Sequence, residues 1–131
     1  MKPLDQARVL LRKAAADIVL LEAAAQPPQF SDEIFGFHCQ QAVEKACKAA
    51  LAAHGIVPRR THDLQELHDL LGEKHVAVPL ELGQVTGLTV YAAEFRYSDA
   101  AMDQDPLDRP AMLALVRCCY DWAMGIVGKG G

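Results

Sequence analysis

The chain has 131 residues, of which 51% are hydrophobic and 6% aromatic, and its formal net charge is −4 at pH 7. This length suits one domain with a real core, and the acidic balance excludes a general basic field that would bind nucleic-acid backbones. The N-terminus lacks a signal-peptide layout, and no run approaches the ~20 apolar residues that span a bilayer, so we expect a cytoplasmic protein without a membrane segment.

The first two predicted helices have apolar residues at three- and four-residue spacing, which is typical of a helix that faces a core. The first stops before the double proline at 27–28, and its stripe consists of Leu4, Ala7, Leu11, Ala14, Ile18, Leu21 and Ala25. The second runs from about Asp32 to His54, with Ser31 as its N-cap and Gly55 just after its end. Its stripe consists of Phe35, Cys39, Val43, Ala46, Ala50 and Ala53.

The third and fourth predicted helices follow a short loop. Thr61 is a plausible N-cap of the third helix, which ends at Gly72 and buries Leu64, Leu67, Leu70 and Leu71. Pro79 fits the first turn of the fourth helix, which ends near 96–97 and whose stripe is Val85, Leu88, Ala92 and Phe95. Gly83 and Gly87 weaken this helix, and their small size leaves room for another backbone to come close.

The last predicted helix follows a polar stretch that we interpret as a mobile loop. Asp108 caps this fifth helix, whose stripe is Met112, Leu115, Cys119, Trp122 and Ile126. All four cysteines lie in helical patterns and are predicted to be small buried hydrophobic residues, without a metal. The fold class is therefore all-α: an antiparallel bundle of five helices (four to five counting short ones) in a single domain, 1–131, with a frayed tail from about 128.

The second helix has an unusual side away from its core stripe. On a helical wheel Phe37, Gln41, Glu44 and Lys48 lie opposite the stripe, with Gln40 at one edge and His38 and Lys45 at the other. One interpretation is a solvated face with weak i,i+4 pairs. Because an aromatic ring lies beside amides and lysines, the alternative is a contact surface for a second subunit, or for polar or phosphate groups.

Three stretches of the sequence resemble the HEPN domain, a family named for nucleotide binding in higher eukaryotes and prokaryotes. They are FHCQQAVEKACKAAL on the second helix, the THDLxxL segment and the EFRYSD segment. The resemblance covers nearly the whole chain. It implies an antiparallel bundle of four to five helices, often dimeric, and commonly encoded beside a minimal nucleotidyltransferase.

Many members of that family are ribonucleases, including toxins of toxin–antitoxin pairs, whose signature is an arginine and then a histidine, separated by four to six residues. Such a pair suits RNA cleavage, since histidine moves a proton and arginine stabilises a phosphorane. No arginine in this chain has a histidine at that spacing. We therefore predict no catalytic residues, no metal and no cofactor, although a histidine placed by the fold could substitute.

Arg96 and Tyr97 match the RY part of the family's EFRYSD-like segment. One interpretation is structural, with Arg96 paired to an acid such as Asp17 and Tyr97 packed at a helix end. The alternative is that Arg96 binds a phosphate while Tyr97 lies beside a base. For Arg59 and Arg60 the two interpretations are added positive potential and, more commonly for adjacent loop arginines, simple solvation.

The leading functional hypothesis is a non-catalytic, homodimeric HEPN protein that binds a nucleotide or RNA, or partners a nucleotidyltransferase. Two alternatives stay open: a ribonuclease toxin with a displaced active site, and a purely structural dimer. The candidate residues for nucleotide or partner binding are Phe37, Gln41, Lys45, Lys48, Arg96 and Tyr97.

Overall fold

The computed structural model describes residues 2–24, 31–92 and 106–130, with side chains up to residue 128. Every regular element in these ranges is a helix, which confirms the all-α class. The elements are α1 (Pro3–Ala24), α2 (Asp32–Ala53), α3 (Leu64–Glu73), α4 (Leu80–Gln84), a 3-10 helix (Thr86–Tyr91) and α5 (Arg109–Gly130).

Helices α1, α2 and α5 pack against one another and form the centre of the bundle. Arg109, in the first turn of α5, donates to the carbonyl of Ala24 at the end of α1 and to Asp32 at the start of α2. At the opposite end, Ala7 and Val127 share one apolar cluster with the last turns of α2. Helices α2 and α5 therefore both run antiparallel to α1.

Most of the predicted core stripes of α1 and α2 is buried, because alanine lets these helices approach closely. Leu4 and Ala53 are half-buried, and Ala25 lies outside the described residues. The buried members are Ala7, Leu11, Ala14, Ile18 and Leu21 on α1, and Phe35, Cys39, Val43, Ala46 and Ala50 on α2. Ser31 caps α2 as predicted, since its hydroxyl accepts from the Ile34 amide at 3.2 Å. Gly55 follows α2 with φ of 72°, a conformation that glycine adopts without steric cost.

The start of α3 differs from the prediction by two residues. Its N-cap is Asp63, whose carboxylate accepts from the Gln65 amide at 3.0 Å. Thr61, the predicted cap, instead accepts from the Asp63 amide. The leucines of the third stripe are buried except for Leu70, which is half-buried.

The single fourth helix predicted from sequence is wrong. A five-residue α4 is followed by a 3-10 helix, and Thr86 begins the tighter segment. Glycine and β-branched residues between 83 and 90 all have low helix propensity, which explains the break. Val85, Leu88 and Ala92 are nevertheless buried as predicted, whereas Phe95 lies outside the described residues.

The close approach predicted for Gly83 and Gly87 occurs elsewhere. No atom lies within 4 Å of a Cβ added at Gly87, and at Gly83 the nearest is 3.8 Å away. The residue that needs to be small is Gly36 on α2, because the ring of Tyr91 packs directly on it. The 3-10 helix brings that ring into place, and sequence reasoning missed the contact.

Helix α5 buries a face that is rotated from the predicted stripe. Its buried residues are Leu113, Val116, Cys119, Ala123 and Val127, whereas Met112, Leu115, Trp122 and Ile126 are half-buried and pack at the edges. Asp108 caps the helix as predicted, through the Ala111 amide. Cys118 is exposed, against the prediction, because neighbouring residues on a helix point about 100° apart and Cys119 faces the core.

Helix α5 is also the one candidate membrane span among the described residues. Residues Arg109–Gly128 are long and apolar enough to cross a bilayer by length and composition, with a mean hydropathy of 1.3. The segment contains Arg117 and Asp121, so it is not a continuous apolar run, and the absence of a membrane segment stays a prediction. In the structure this helix packs on α1 and α2 through its buried face.

Candidate functional site

A row of partly covered side chains runs along one side of α2, at spacings that keep them on one helical face. We call it the α2 strip, and it consists of Ile34, Phe37, Gln41, Lys45 and Lys48. Phe37, Gln41 and both lysines are half-buried, and Ile34 is exposed. The strip is apolar at its N-terminal end and cationic at its C-terminal end. The structure thus brings together four of the six predicted site residues.

The edge of the strip nearest α1 is formed around a buried carboxylate. Asp17 accepts from Lys45 Nζ at 2.7 Å and lies 3.0 Å from Nδ1 of His38. The His38 ring in turn meets Phe37 edge to face, with ring centroids 5.2 Å apart. Lys45 and His38 are therefore fixed against α1.

The opposite edge is formed around Glu44, which is 5% exposed. Its Oε1 accepts from Gln40 at 2.9 Å and lies 2.8 Å from His62 Nδ1, and its Oε2 accepts from Lys48 at 3.0 Å. Burial raises the pKa of Glu44, but the hydrogen bonds from Gln40, His62 and Lys48, with the charge of Lys48, outweigh it. The net pKa is lowered from 4.5, so this carboxylate is ionised at neutral pH.

The solvated-face interpretation of α2 is only half correct. The Gln40–Glu44 and Glu44–Lys48 pairs form as expected, but Gln40 and Glu44 are buried rather than solvated. Gln40 also donates to the His62 carbonyl at 2.9 Å and accepts from Gln41 at 2.7 Å. The segment before α3 covers this edge of α2, which a wheel drawn for one helix cannot show.

Two of the predicted site residues, Arg96 and Tyr97, lie outside the described residues. The predicted ion pair between Arg96 and Asp17 therefore has one partner outside the described residues. Within the described residues the partners of Asp17 are His38 and Lys45. The cost of burying Asp17 is therefore offset without Arg96.

A cavity that sequence reasoning did not predict opens where the strip ends at Lys48. It has a volume of about 400 Å³ and lies between the start of α1, the end of α2 and the loop that follows. Its lining residues are Pro3, Gln6, Leu10, Lys48, Ala52, Gly55, Ile56, Val57, Pro58, Arg59 and Arg60. The loop arginines, which the sequence placed in solvent, border this cavity.

The helical bundle with the α2 strip along its central helix is a small all-α domain, and comparison with known families is more specific. The HEPN domain model matches residues 7–122. This match covers most of the chain, and the protein belongs to the HEPN domain family, as the sequence motifs indicated. No curated protein and no solved structure matches the chain at the significance that we require.

Proposed function

We propose that this protein is a non-catalytic HEPN-domain module that binds a nucleotide through the cationic end of the α2 strip. One observation carries the proposal: Lys45 and Lys48 lie on one face, and each ammonium is within 3.0 Å of a buried carboxylate. An ammonium group has three N–H donors, so each lysine keeps donors for a ligand while its position is fixed. Lysines in such positions suit phosphate oxygens.

Two nearby histidines support the same proposal. His38 shares the Asp17 carboxylate with Lys45, and His62 shares Glu44 with Lys48. Each carboxylate is thereby held by more than one donor, so its remaining capacity to repel an anion is reduced. We therefore expect an anionic ligand to be favoured at the cationic end.

We infer the non-catalytic part of the proposal from the sequence, because no arginine is followed by a histidine at the ribonuclease spacing. Incubation of the purified protein with single-stranded RNA should leave the RNA intact. Cleavage that disappears when one histidine or arginine is replaced would sink the proposal in favour of a ribonuclease toxin.

The nucleotide part is tested by thermal unfolding with AMP, ADP and ATP, with and without Mg²⁺. A ligand at 100 times its Kd stabilises a folded protein by about 2.7 kcal/mol. We expect a concentration-dependent rise in Tm that falls in Lys45→Gln and Lys48→Gln but persists in Lys13→Gln, which alters an exposed lysine on α1. Arg96→Ala tests whether the RY segment contributes. If no nucleotide shifts the wild-type Tm, nucleotide binding is refuted and a role in protein interaction is favoured.

We also propose that the chain acts as a homodimer through the apolar end of the strip. Ile34 is exposed and Phe37 half-buried on the same face of α2, and such apolar area beside Gln41 suits an interface. The same surface of a second copy is self-complementary in a two-fold dimer. A minimal nucleotidyltransferase is the further partner we propose, performing the transfer while this module presents or senses the nucleotide.

Light scattering after gel filtration tests the dimer. Phe37→Ala should shift the protein toward monomer at low micromolar concentration. Leu80→Ala, which truncates a well-exposed leucine at the start of α4, is the matched control and should stay dimeric. A wild-type monomer at high concentration would rule the dimer out.

A further inference from the structure

The cavity beside Lys48 combines an apolar floor with a cationic rim. Leu10, Ala52 and Ile56 provide the apolar side chains, and Gln6 adds one amide at the α1 side. Lys48, Arg59 and Arg60 provide three positive charges, and no aspartate or glutamate lines the cavity. A volume of about 400 Å³ lies within the range of small-molecule sites.

The three rim cations differ in how they are held. Lys48 is bound to Glu44, and Arg59 donates to Glu66 from Nε at 2.9 Å and from Nη2 at 2.6 Å. Arg60 is exposed and makes no ion pair with any residue in the described ranges. A ligand would therefore meet two pre-positioned cations and one guanidinium whose donors are all available.

The local fold explains why the cavity exists. After α2, Gly55 turns the chain with φ of 72°, and the Ile56 amide donates to the Leu51 carbonyl at 2.9 Å. Ile56 and Val57 are thereby placed beside the last turn of α2, and Pro58 restricts the backbone just before the arginines. Arg59 and Arg60 are thus presented by a constrained loop and Lys48 by α2, which lowers the ordering cost of binding.

We propose that this cavity is a site for a small organic phosphate of mononucleotide size, with the phosphate at Lys48, Arg59 and Arg60 and the apolar body over Leu10, Ala52 and Ile56. This inference rests on the proposed function and deepens it, because it places the phosphate of the nucleotide in the cavity that adjoins the Lys48 end of the strip. A cavity of about 400 Å³ with three lining cations suits a free mononucleotide better than a continuous RNA strand, whose phosphates need a groove.

The proposal implies that ligand binding and subunit contact use different ends of α2. Phe37 and Lys48 are eleven residues apart, which is about 16 Å along a helix at 1.5 Å per residue. A variant at one end should therefore leave the property at the other end unchanged.

Calorimetric titration of the purified protein with AMP tests the assignment, with adenosine and inorganic phosphate as the two halves of the probe. We expect AMP to bind more tightly than either half. Arg60→Gln should raise the AMP Kd about tenfold, since one charged hydrogen bond is lost. Ala52→Leu, which fills the apolar part of the cavity, should raise the AMP Kd by a similar factor. A Tm near that of the wild type shows that each variant folds.

Two surface variants outside the cavity serve as controls. Lys13→Gln and Arg12→Gln, both at exposed positions on α1, should change the AMP Kd by less than about twofold. In amide NMR spectra, AMP should shift Gly55 and Val57 more than Ile34. Equal AMP affinity in the wild type, Arg60→Gln and Ala52→Leu would overturn the cavity assignment while leaving nucleotide binding intact.

The remaining outcomes distinguish a failure of the cavity assignment from a failure of the proposed function. If other nucleotides stabilise the protein but AMP does not bind, the cavity assignment is wrong and the proposed function survives. If no nucleotide binds the wild type at all, the proposed function fails and the assignment fails with it.

Discussion

The Nδ1 atom of His62 lies 2.8 Å from Oε1 of Glu44, which ties the segment before α3 to the middle of α2. The same oxygen accepts from Gln40, and the other carboxylate oxygen accepts from Lys48. One buried side chain thus links two elements and positions a lysine of the strip. Its removal should affect both stability and ligand binding.

We predict that Glu44→Gln lowers the free energy of unfolding by about 2 kcal/mol near neutral pH, because a neutral amide leaves Lys48 and His62 without their carboxylate. Urea unfolding of both proteins measures this difference. A loss below roughly 0.5 kcal/mol, the usual range for surface changes, would show that the network contributes little.

The same comparison predicts a pH dependence. The pKa of Glu44 is lowered in the folded protein from 4.5, so its contribution is fully present above that value. It is lost as pH falls through the lower, folded pKa. The stability difference between wild type and Glu44→Gln should therefore shrink in strong acid, and an unchanged difference at about pH 3 would contradict the linkage.

A second prediction concerns Asp17, which joins α1 to α2 through Lys45 at 2.7 Å and His38 at 3.0 Å. Asp17→Asn should lower the free energy of unfolding by about 1–3 kcal/mol, because the Asp17 side chain is almost fully buried. Asp5→Asn is the matched control. Asp5 pairs with Arg8 at 3.6 Å where both side chains are about half exposed, so its loss should cost less than about 1 kcal/mol. Equal costs for the two changes would refute the argument.

Sequence reasoning succeeded where one element carries the whole signal. The spacing of Ala7, Leu11 and Ala14 on α1, the Ser31 cap and the Gly55 stop are properties of one segment, and all three hold in the structure. The grouping of Phe37, Gln41, Lys45 and Lys48 on one side of α2 follows from the same periodicity.

Sequence reasoning failed where a second element decides the outcome. Glu44 is buried because the segment around His62, 18 residues away, covers it. The partners of Asp17 lie on α2, another helix. The cavity at Arg60 forms only where the start of α1, the end of α2 and the following loop meet. A periodic pattern shows which side chains share a face but not what packs on it.

A third prediction uses the four cysteines. Cys39, Cys47 and Cys119 are buried, and burial raises the pKa of Cys39 and of Cys119 to about 12. Cys118 is exposed, and its pKa is raised more modestly, by desolvation at the helix surface and by the negative charge of Glu81.

An aromatic disulfide reagent should therefore modify one thiol of the folded protein and the other three only after denaturation, because the thiolate is the reactive form. Cys118→Ser should abolish the early reaction. Absorbance of the released thiolate counts the sites, and two or more early equivalents would show that a second cysteine is accessible.

The last prediction concerns the contact between Gly36 and Tyr91. A Cβ added at Gly36 would lie 2.6 Å from Cγ of the Tyr91 ring and 2.7 Å from both Cδ atoms, so the ring must move. Tyr91, the last residue of the 3-10 helix, is buried against α2, where movement of its ring disturbs close packing. Overpacking of a core typically costs about 1–3 kcal/mol, whereas alanine gains up to about 1 kcal/mol over glycine in a helix.

We therefore expect Gly36→Ala to lower the free energy of unfolding, with the steric cost exceeding the gain in helix propensity. Gly72→Ala, in α3, is the matched change, because a Cβ there meets no atom within 4 Å and only the gain of up to about 1 kcal/mol remains. The two variants should shift the urea midpoint in opposite directions. A stabilised Gly36→Ala would mean that the ring moves without cost, and that Tyr91 does not fix the 3-10 helix against α2.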